Sequence, residues 1–265
     1  MRYIFDNDLH IHSQLSSCSN DPEQTTERIL QYAKENGVTT LCLTDHFWDS
    51  AVPGASSWYS TQDYDHIAKA LPLPKTDGIR YLFGCETDMD KFMTVGVAKE
   101  TLDKFDFIII PTTHLHMMKF TLDETDNSVQ ARSALWVKRF EALLAKDLPF
   151  RKIGIAHLAC RLLRGRNDDS EYVKILDGIK SEDMERLFTK AAKLGCGIEL
   201  NQSDMDLRVG EEESVLRMFR IAKSCGCKFY CGSDAHNPGY FVRTKEIFER
   251  AIDLLGLTED DKFHI

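Results

Sequence analysis

Short apolar runs recur along the chain and are separated by polar loops and longer amphipathic segments. Several of these runs lack the alternation of a half-exposed strand, which is typical of parallel strands that are covered on both faces. Seven runs have the length of strands: residues 4–10, 39–44, 80–85, 105–111, 152–156, 197–200 and 228–231. The pattern therefore predicts a largely parallel sheet.

The segments between these runs have the periodicity and the end signals of helices. The tetrapeptide at 21–24 offers an N-cap aspartate, a proline at N1 and a glutamine at N3, so we predict a first helix from Asp21 to Asn36, ended by Gly37. Further helices are predicted at 128–146, 181–195, 211–224 and 240–255. Seven or eight strand–helix units in 265 residues favour a closed α/β barrel, formed as a single domain by residues 1–265.

The composition fits a folded protein and limits its partners. The chain is 43% hydrophobic and 28% charged, and its formal net charge of −9 disfavours a broad basic surface for extended nucleic acid. A small phosphorylated substrate is compatible with this charge, because bound metal ions can supply local positive charge. The acidic start of the chain and the lack of an apolar stretch of about 20 residues predict a cytoplasmic protein without a membrane span. The eight cysteines include no C-x-x-C pair and are expected to be free thiols, and the oligomeric state is left open.

Residue types that ligate metals follow the apolar runs at their carboxyl ends. In a barrel these ends converge on one face, where the active site is built. His10 and His12 form a His-x-His pair, and the alternation of a strand places both imidazoles on the same side. Seven of the nine histidines occupy strand-end positions, and His66 and His264 do not. The full set of candidates is His10, His12, Asp45, His46, Glu86, His114, His116, His157, Glu199, Asn201, Asp234 and His236.

The size of this set indicates more than one ion. A single catalytic zinc needs three protein ligands, so a set this large suits two or three divalent ions. The ligands offer nitrogen and oxygen rather than a clear thiolate, which favours zinc, manganese or iron over magnesium alone. We therefore predict two or three divalent metal ions as cofactors.

Six motifs occur in one order along nearly the whole chain, and together they resemble the PHP superfamily (polymerase and histidinol phosphatase). They are Asp8-Leu9-His10-Ile11-His12-Ser13, Thr44-Asp45-His46, Gly84-Cys85-Glu86, Thr113-His114, Ala156-His157 and Gly232-Ser233-Asp234-Ala235-His236. The resemblance implies a distorted (β/α)7 TIM-like barrel with a trinuclear metal site, and a phosphatase that hydrolyses phosphoric esters.

The resemblance also implies roles for individual residues. The implied metal ligands are His10, His12, His46, Glu86, His114, His157, Asp234 and His236. The candidate catalytic groups, which would bridge ions or relay protons, are Asp45, His46, Glu86 and Asp234. Asp45 either ligates or orients a histidine from behind, and Asn201 matches a position that lines the family's site.

Two positions depart from the pattern of the family. An acidic residue or a histidine often follows the His-x-His pair after a few residues, whereas this chain has Cys18 among small polar residues. Cys18 is either a soft ligand or a plain thiol, so we expect the third ion to be held weakly or differently. His116 is an additional histidine that could ligate, bind substrate or act as an acid.

A metal-bridging hydroxide is expected to attack phosphorus, since metal coordination brings the pKa of water near neutrality. Arg161 and Arg243 follow the fifth and seventh runs and are candidates for phosphate binding, with surface ion pairs as the alternative. Trp48, Trp58 and Tyr59 flank a loop-rich segment that is either a lid or specificity loop or a packed surface loop.

The predicted function is hydrolysis of a small phosphorylated molecule by a phosphomonoesterase. The alternative is a phosphodiesterase or exonuclease for short oligonucleotides, which a basic track beside the pocket would favour. Hydrolysis of C–N bonds would be supported by a carboxylated lysine, and no lysine sits convincingly at a motif strand end. A non-catalytic, metal-stabilised PHP module would be expected to have lost ligands that this chain retains.

Overall fold

The computed structural model describes residues 1–19, 21–164 and 171–265. The strands in these residues are β1 (Asn7–Ile11), β2 (Thr40–Leu43), β3 (His46–Phe47), β4 (Arg80–Thr87), β5 (Phe107–Pro111), β6 (Ile153–Ala156), β7 (Gly197–Asn201) and β8 (Lys228–Gly232). The α-helices are α1 (Thr26–Asn36), α2 (Tyr64–Ile67), α3 (Val129–Leu144), α4 (Glu171–Asp177), α5 (Ser181–Leu194), α6 (Gln202–Met205), α7 (Glu212–Ser224) and α8 (Thr244–Leu255). Strands and helices alternate along most of the chain, as the sequence predicts.

The strands form one parallel sheet. Seven of them neighbour one another in the order β1-β2-β4-β5-β6-β7-β8, and the short β3 pairs with β4 off this path. The two outer strands approach each other at their carboxyl ends. There the amide of Asp234 donates to the carbonyl of His10 over 2.7 Å, and the amide of His12 donates to the carbonyl of Ala235 over 3.1 Å. The sheet is thus nearly closed into a barrel, and the predicted TIM-like α/β fold is confirmed.

Two apolar clusters lie on the two sides of the sheet. The larger one joins the strands to the helices. The smaller one fills the inside of the barrel, since it collects side chains from six strands and from the end of the chain: Leu9, Cys42, Leu82, Phe107, Ile109, Ala156, Tyr230 and Phe263. Gly154 allows this packing, because a Cβ there would lie 2.4 Å from Tyr230 Oη and 2.5 Å from Phe107 Cζ. Packed apolar side chains therefore fill the barrel below the carboxyl ends of the strands.

The first helix begins later than the sequence predicts. Its first residue is Thr26, and the prediction of a start at Asp21 is wrong. Asp21 instead begins a turn that ends at Gln24, whose amide donates to the carbonyl of Asp21 over 3.1 Å. The buried side chain of Gln24 donates to the carbonyl of His12 over 2.9 Å and to that of Ala235 over 3.1 Å. The apparent capping signal thus belongs to a turn that ties the loop after β1 to the loop after β8.

Other element ends differ for similar local reasons. The last helix begins at Thr244 rather than at residue 240, because Pro238–Val242 form a separate 3-10 helix that Asn237 caps. The short helices α2, α4 and α6 were not predicted, since four to seven residues carry too little periodicity to be recognised. All eight cysteines are free thiols. None of the described helices has the length and apolar character needed to cross a membrane.

Candidate metal centre

Glu86, near the end of β4, lies at the centre of the histidines that the sequence predicts as ligands. Its side chain is fully buried. Oε2 lies 3.0 Å from Nδ1 of His46 and 3.3 Å from Nε2 of both His10 and His12. Oε1 faces the other side of the site, where Nε2 of His157 lies 3.3 Å away. One carboxylate therefore contacts imidazoles that come from three separate segments of the barrel.

Asp234, two residues after β8, supplies a second carboxylate to the same group. Its Oδ1 lies 3.1 Å from Nε2 of His12 and 3.4 Å from Nε2 of His10, and its Oδ2 lies 3.6 Å from Nε2 of His157. Nδ1 of His236 lies 3.6 Å from Oδ1, and the His236 ring stacks on that of His12 with centroids 4.2 Å apart. Residues from the first and the last strand thus meet at one point.

Four overlapping sets of these side chains have the geometry of metal ligands. Within each set the ligand atoms lie within 4.8 Å of one another. The sets are His12, His46 and His236; His10, His12, Glu86 and Asp234; His10, His157 and Glu199; and Glu86, His114 and His157. Because the sets share members, ions held by neighbouring sets would lie close together.

The residues fit divalent cations. Neither oxygen of Glu86 accepts a hydrogen bond from the described residues, although both are buried. A buried carboxylate without donors is costly unless a cation satisfies it. The Nε2 atoms of His10 and His12 lie 3.1 Å apart, which is about the separation of two imidazole nitrogens that bind one ion at about 2.1 Å each.

The electrostatics of the site favour positive charge. Burial acts to lower the pKa of His10, but the carboxylates of Glu199, Asp234 and Glu86 outweigh it and raise that pKa well above its ordinary value. The same field would attract metal cations. Burial, together with nearby His12, lowers the pKa of His236 to about 3, so this imidazole is neutral and able to ligate.

Two of the candidate ligands have an unusual backbone. His157 has φ 58° and Asp234 has φ 52°, a left-handed conformation that residues other than glycine rarely adopt. Two hydrogen bonds hold the backbone of His157 in this conformation. The amide of His157 donates to Glu199 Oε2 over 3.0 Å, and Thr113 Oγ1 donates to the carbonyl of His157 over 2.5 Å. Such strain persists only where surrounding structure fixes it, and it concentrates at functional sites.

Carboxylates behind the histidines orient two of the rings. Glu199 Oε1 accepts from Nδ1 of His10 over 2.6 Å, and Asp88 Oδ2 accepts from Nδ1 of His114 over 2.9 Å. Both rings are thereby turned so that Nε2 faces the site, the arrangement found behind most metal-binding histidines. Gly232 makes room for the first contact, since a Cβ there would lie 2.1 Å from Glu199 Oε1.

Asp45 reaches the site through serine rather than directly. Its Oδ1 accepts from the amide of Ser13 over 2.8 Å and from the hydroxyl of Ser16 over 2.7 Å. The Ser16 hydroxyl in turn lies 2.9 Å from Nδ1 of His12. Asp45 is therefore placed to orient His12, one of the two roles that the sequence left open.

A cavity of about 1010 Å³ opens over the cluster. Glu86, His46, His157 and Asp234 line one part of it, together with His114 and His236. His116, whose ring centroid lies 5.6 Å from that of His114, and Cys18 also line the cavity. Cys18 is in none of the ligand sets found in the described residues.

The other predicted substrate-binding residues lie elsewhere. Arg161 makes a two-pronged ion pair with Glu211, one arm of which spans 2.6 Å. Arg243 is exposed and pairs with Asp206 over 3.2 Å. Asn201 is buried, and its Oδ1 accepts from the amide at the start of α6. None of these three is among the described residues that line the cavity.

Sequence reasoning missed the roles of two carboxylates. The sequence places Glu199 at a strand end, but its pairing with His10 joins positions 189 residues apart, which spacing does not reveal. Asp88 is not among the candidates that the sequence provides. Its signal was its position two residues after Glu86, where the alternation of an extended chain returns a side chain to the same side.

The model of the PHP domain family matches residues 8–203 of the chain. A probable phosphatase of Thermoanaerobacter sp. (strain X514) is 25% identical over 270 residues, which cover 98% of this chain and 89% of that protein. A probable phosphatase of Acetivibrio thermocellus is 23% identical over 271 residues, covering 99% of this chain and 94% of that protein.

A solved structure shares the fold over the whole length. It is the histidinol phosphate phosphatase of Lactococcus lactis subsp. lactis, in complex with zinc, L-histidinol and phosphate. The two chains superpose with a TM-score of 0.61 at 16% identity, and the match covers 99% of this chain and 100% of that one.

Proposed function

Because the chain belongs to the PHP domain family, we propose that it hydrolyses phosphate monoesters of small molecules with the help of two or three divalent metal ions. The phosphatase class predicted from the sequence is confirmed by the family match and by the curated relatives. The observation that carries the proposal is the buried carboxylate of Glu86, which is surrounded by imidazole nitrogens and accepts no hydrogen bond from the described residues.

The ligand sets suggest which residues would hold each ion. One ion would be held by His10, His12, Glu86 and Asp234, and a second by Glu86, His114 and His157. A third would be held by His12, His46 and His236. Nitrogen and carboxylate ligands suit zinc, manganese or iron. The zinc complex of the Lactococcus lactis phosphatase is consistent with this choice.

Such ions, when bound, lower the pKa of water so that it can attack phosphorus near neutral pH, and they neutralise phosphate oxygens. The chain supplies orientation and proton transfer. Glu199 and the Asp45–Ser16 pair fix the rings of His10 and His12. His116 lines the cavity beside the cluster and is our candidate for the group that donates a proton to the leaving oxygen.

The charge around the cavity favours a small substrate over an oligonucleotide. Arg161 and Arg243 are paired with carboxylates away from the cavity. Among the described lining residues Arg132 is the one arginine, and it is buried with its guanidinium donating to the carbonyls of Leu115 and Leu163. Among the described residues, the lining of the cavity therefore offers no series of lysines and arginines for a polymer of phosphates.

We also propose that residues 1–265 form a single domain. The first strand and the segment after the last strand meet at the metal centre, through Asp234 and His10. Phe263, the third residue from the end of the sequence, packs inside the barrel with its ring centroid 5.9 Å from that of Phe107. Both ends of the chain thus belong to the same core.

The direct test compares two model esters. The protein loaded with zinc, manganese or iron should hydrolyse p-nitrophenyl phosphate, and hydrolyse bis-p-nitrophenyl phosphate much more slowly. His10→Ala and Asp234→Ala should each abolish the activity, whereas His264→Ala, at an exposed histidine outside the cluster, should retain it. Hydrolysis of neither ester by protein that binds two or more ions per chain would overturn the proposal.

A further inference from the structure

Exposed apolar side chains are concentrated at the end of the barrel that carries the metal centre. Ten large hydrophobic side chains are exposed among the described residues. Seven of them lie on segments that follow the carboxyl ends of strands: Trp58, Phe92, Met118, Leu162, Val209, Tyr240 and Val242. Contiguous exposed apolar surface on a globular protein is typical of a binding site.

Three of these side chains line the cavity above the metal centre. Trp58 is 37% exposed, Met118 is 38% exposed and Leu162 is 39% exposed. Met117 and Phe120 continue the same wall. The cavity has a volume of about 1010 Å³, far more than a phosphate group fills and in the range of pockets that enclose whole small molecules. A substrate therefore has room for a sizeable leaving group against an apolar wall.

Trp58 stands directly beside the metal centre. Its ring contacts the ring of His46 edge to face, with centroids 4.8 Å apart and an interplanar angle of 69°. Tyr59 packs against it from another side, with centroids 4.7 Å apart. The carbonyl of Trp58 accepts from the side chain of the buried Gln62 over 3.1 Å. Trp58 is thus held by its neighbours while it stays partly exposed and lines the cavity.

We propose that this wall is a leaving-group subsite that selects phosphate monoesters of alcohols bearing an apolar ring. The ring would pack on the exposed part of Trp58, and the flexible side chains of Met117 and Met118 would adapt to its shape. The inference rests on the proposed function, because it places the phosphate of such an ester at the metal centre. It assigns Trp58, in the loop-rich segment after β3, the role of a specificity residue.

The test uses two alkyl esters that differ in the leaving group. 2-Phenylethyl phosphate offers an apolar ring, and glycerol 1-phosphate offers hydroxyls. The wild-type protein should show a kcat/KM about tenfold higher or more for the phenylethyl ester, mainly through a lower KM, since burying a ring is worth this much or more. Equal values, or a preference for the glycerol ester, would overturn the subsite.

Variants of Trp58 test whether this residue causes the preference for the phenylethyl ester. Trp58→Ser should reduce the ratio of the two kcat/KM values to about one, and Trp58→Phe should restore most of it because a ring remains. Phe92→Ser, at an exposed aromatic outside the cavity lining, should keep the wild-type ratio. An unchanged ratio in Trp58→Ser would contradict the assignment.

A binding measurement separates this inference from the proposed function. Titration calorimetry on the metal-loaded protein compares 3-phenylpropylphosphonate with propylphosphonate, neither of which can be hydrolysed. The subsite predicts binding about tenfold tighter for the phenyl compound, and loss of the difference in Trp58→Ser. Protein that hydrolyses p-nitrophenyl phosphate but binds both phosphonates equally would refute the subsite alone. Protein that hydrolyses neither alkyl ester nor p-nitrophenyl phosphate, yet prefers the phenyl compound, would refute the proposed function alone.

Discussion

At the scale of single residues, the burial of Glu86 among histidines is the reason for proposing it as a metal ligand. The positive groups around it lower its pKa well below the usual value against the opposing effect of burial, so it stays charged. A fully buried charge of this kind needs a cation in place of water. Protonated imidazoles of the neighbouring histidines would compensate the charge of Glu86 less well than a divalent ion at the same place.

Glu86→Gln should therefore remove ions from the centre. We expect the variant to lose at least one metal per chain and to lose phosphatase activity by about 1,000-fold, since a catalytic ion is worth several kcal/mol. Elemental analysis of purified protein measures the first quantity. Glu100→Gln, at an exposed position, is the matched control. A full metal complement in Glu86→Gln would contradict the assignment.

Ser16 offers a second test at this scale. Removing its hydroxyl in Ser16→Ala separates Asp45 from His12, while the carboxylate and the imidazole both remain. Metal affinity should fall by about tenfold, because groups behind a ligand fix the orientation of its ring. Competition with a chromophoric chelator gives the affinity, and Ser17→Ala at the exposed neighbour should leave it unchanged.

The sequence indicated the roles of some site residues better than those of others. Histidines at strand ends were recognisable because one placement rule applies to all of them. For Arg161 and Arg243 the sequence left phosphate binding and surface ion pairs open, since closeness to a ligand in sequence does not reveal Glu211 and Asp206, the carboxylates that pair with them. Partners of this kind depend on the packing of loops, which local patterns do not encode.

At the scale of elements, strands were easier to predict than helix starts. The strands are continuous apolar runs, and their observed bounds lie within a few residues of the predicted ones. The start of α1 was misplaced because the motif at 21–24 satisfies the rules for a helix cap and also those for a turn. The deciding contact, from Gln24 to the carbonyls of His12 and Ala235, is tertiary.

Gln24→Ala tests the role of this turn. The substitution leaves the carbonyl of His12 without the donor that Gln24 provides, and it removes one of the two donors to the carbonyl of Ala235. It should therefore lower the free energy of unfolding by about 1–3 kcal/mol. Urea denaturation of the metal-free protein measures the change. Gln31→Ala, on the exposed face of α1, should change stability by less than about 0.5 kcal/mol. An equal change in the free energy of unfolding for the two substitutions would contradict the role of this turn in joining β1 to β8.

At the scale of the whole molecule, the metal centre connects the first strand to the last. His10 and His12 come from the amino-terminal end and Asp234 and His236 from the carboxyl-terminal end, so bound ions would help to close the barrel. The sequence predicted this architecture because alternating strands and helices permit few topologies. It could not predict the apolar cavity wall, since loop conformations bring Trp58 and Leu162 together.

Removal of the bound ions by a chelator should therefore destabilise the fold as well as abolish the activity. Ions present at 100 times their dissociation constant stabilise the native state by about 2.7 kcal/mol for each site. Removing them with a chelator should lower the midpoint of thermal unfolding, and adding zinc or manganese should restore it. The Asp234→Ala variant should show a smaller shift, and an identical shift in that variant would place the stabilising ions elsewhere.

The central claim, that this cluster of histidines and carboxylates is a multinuclear phosphatase centre, is tested most directly by titrating metal-free protein with a divalent ion while p-nitrophenyl phosphate hydrolysis is followed. We predict that hydrolysis is absent without metal and appears as the second ion binds per chain. Hydrolysis at the full rate without added metal, or no hydrolysis after two or more ions are bound, would contradict the central claim.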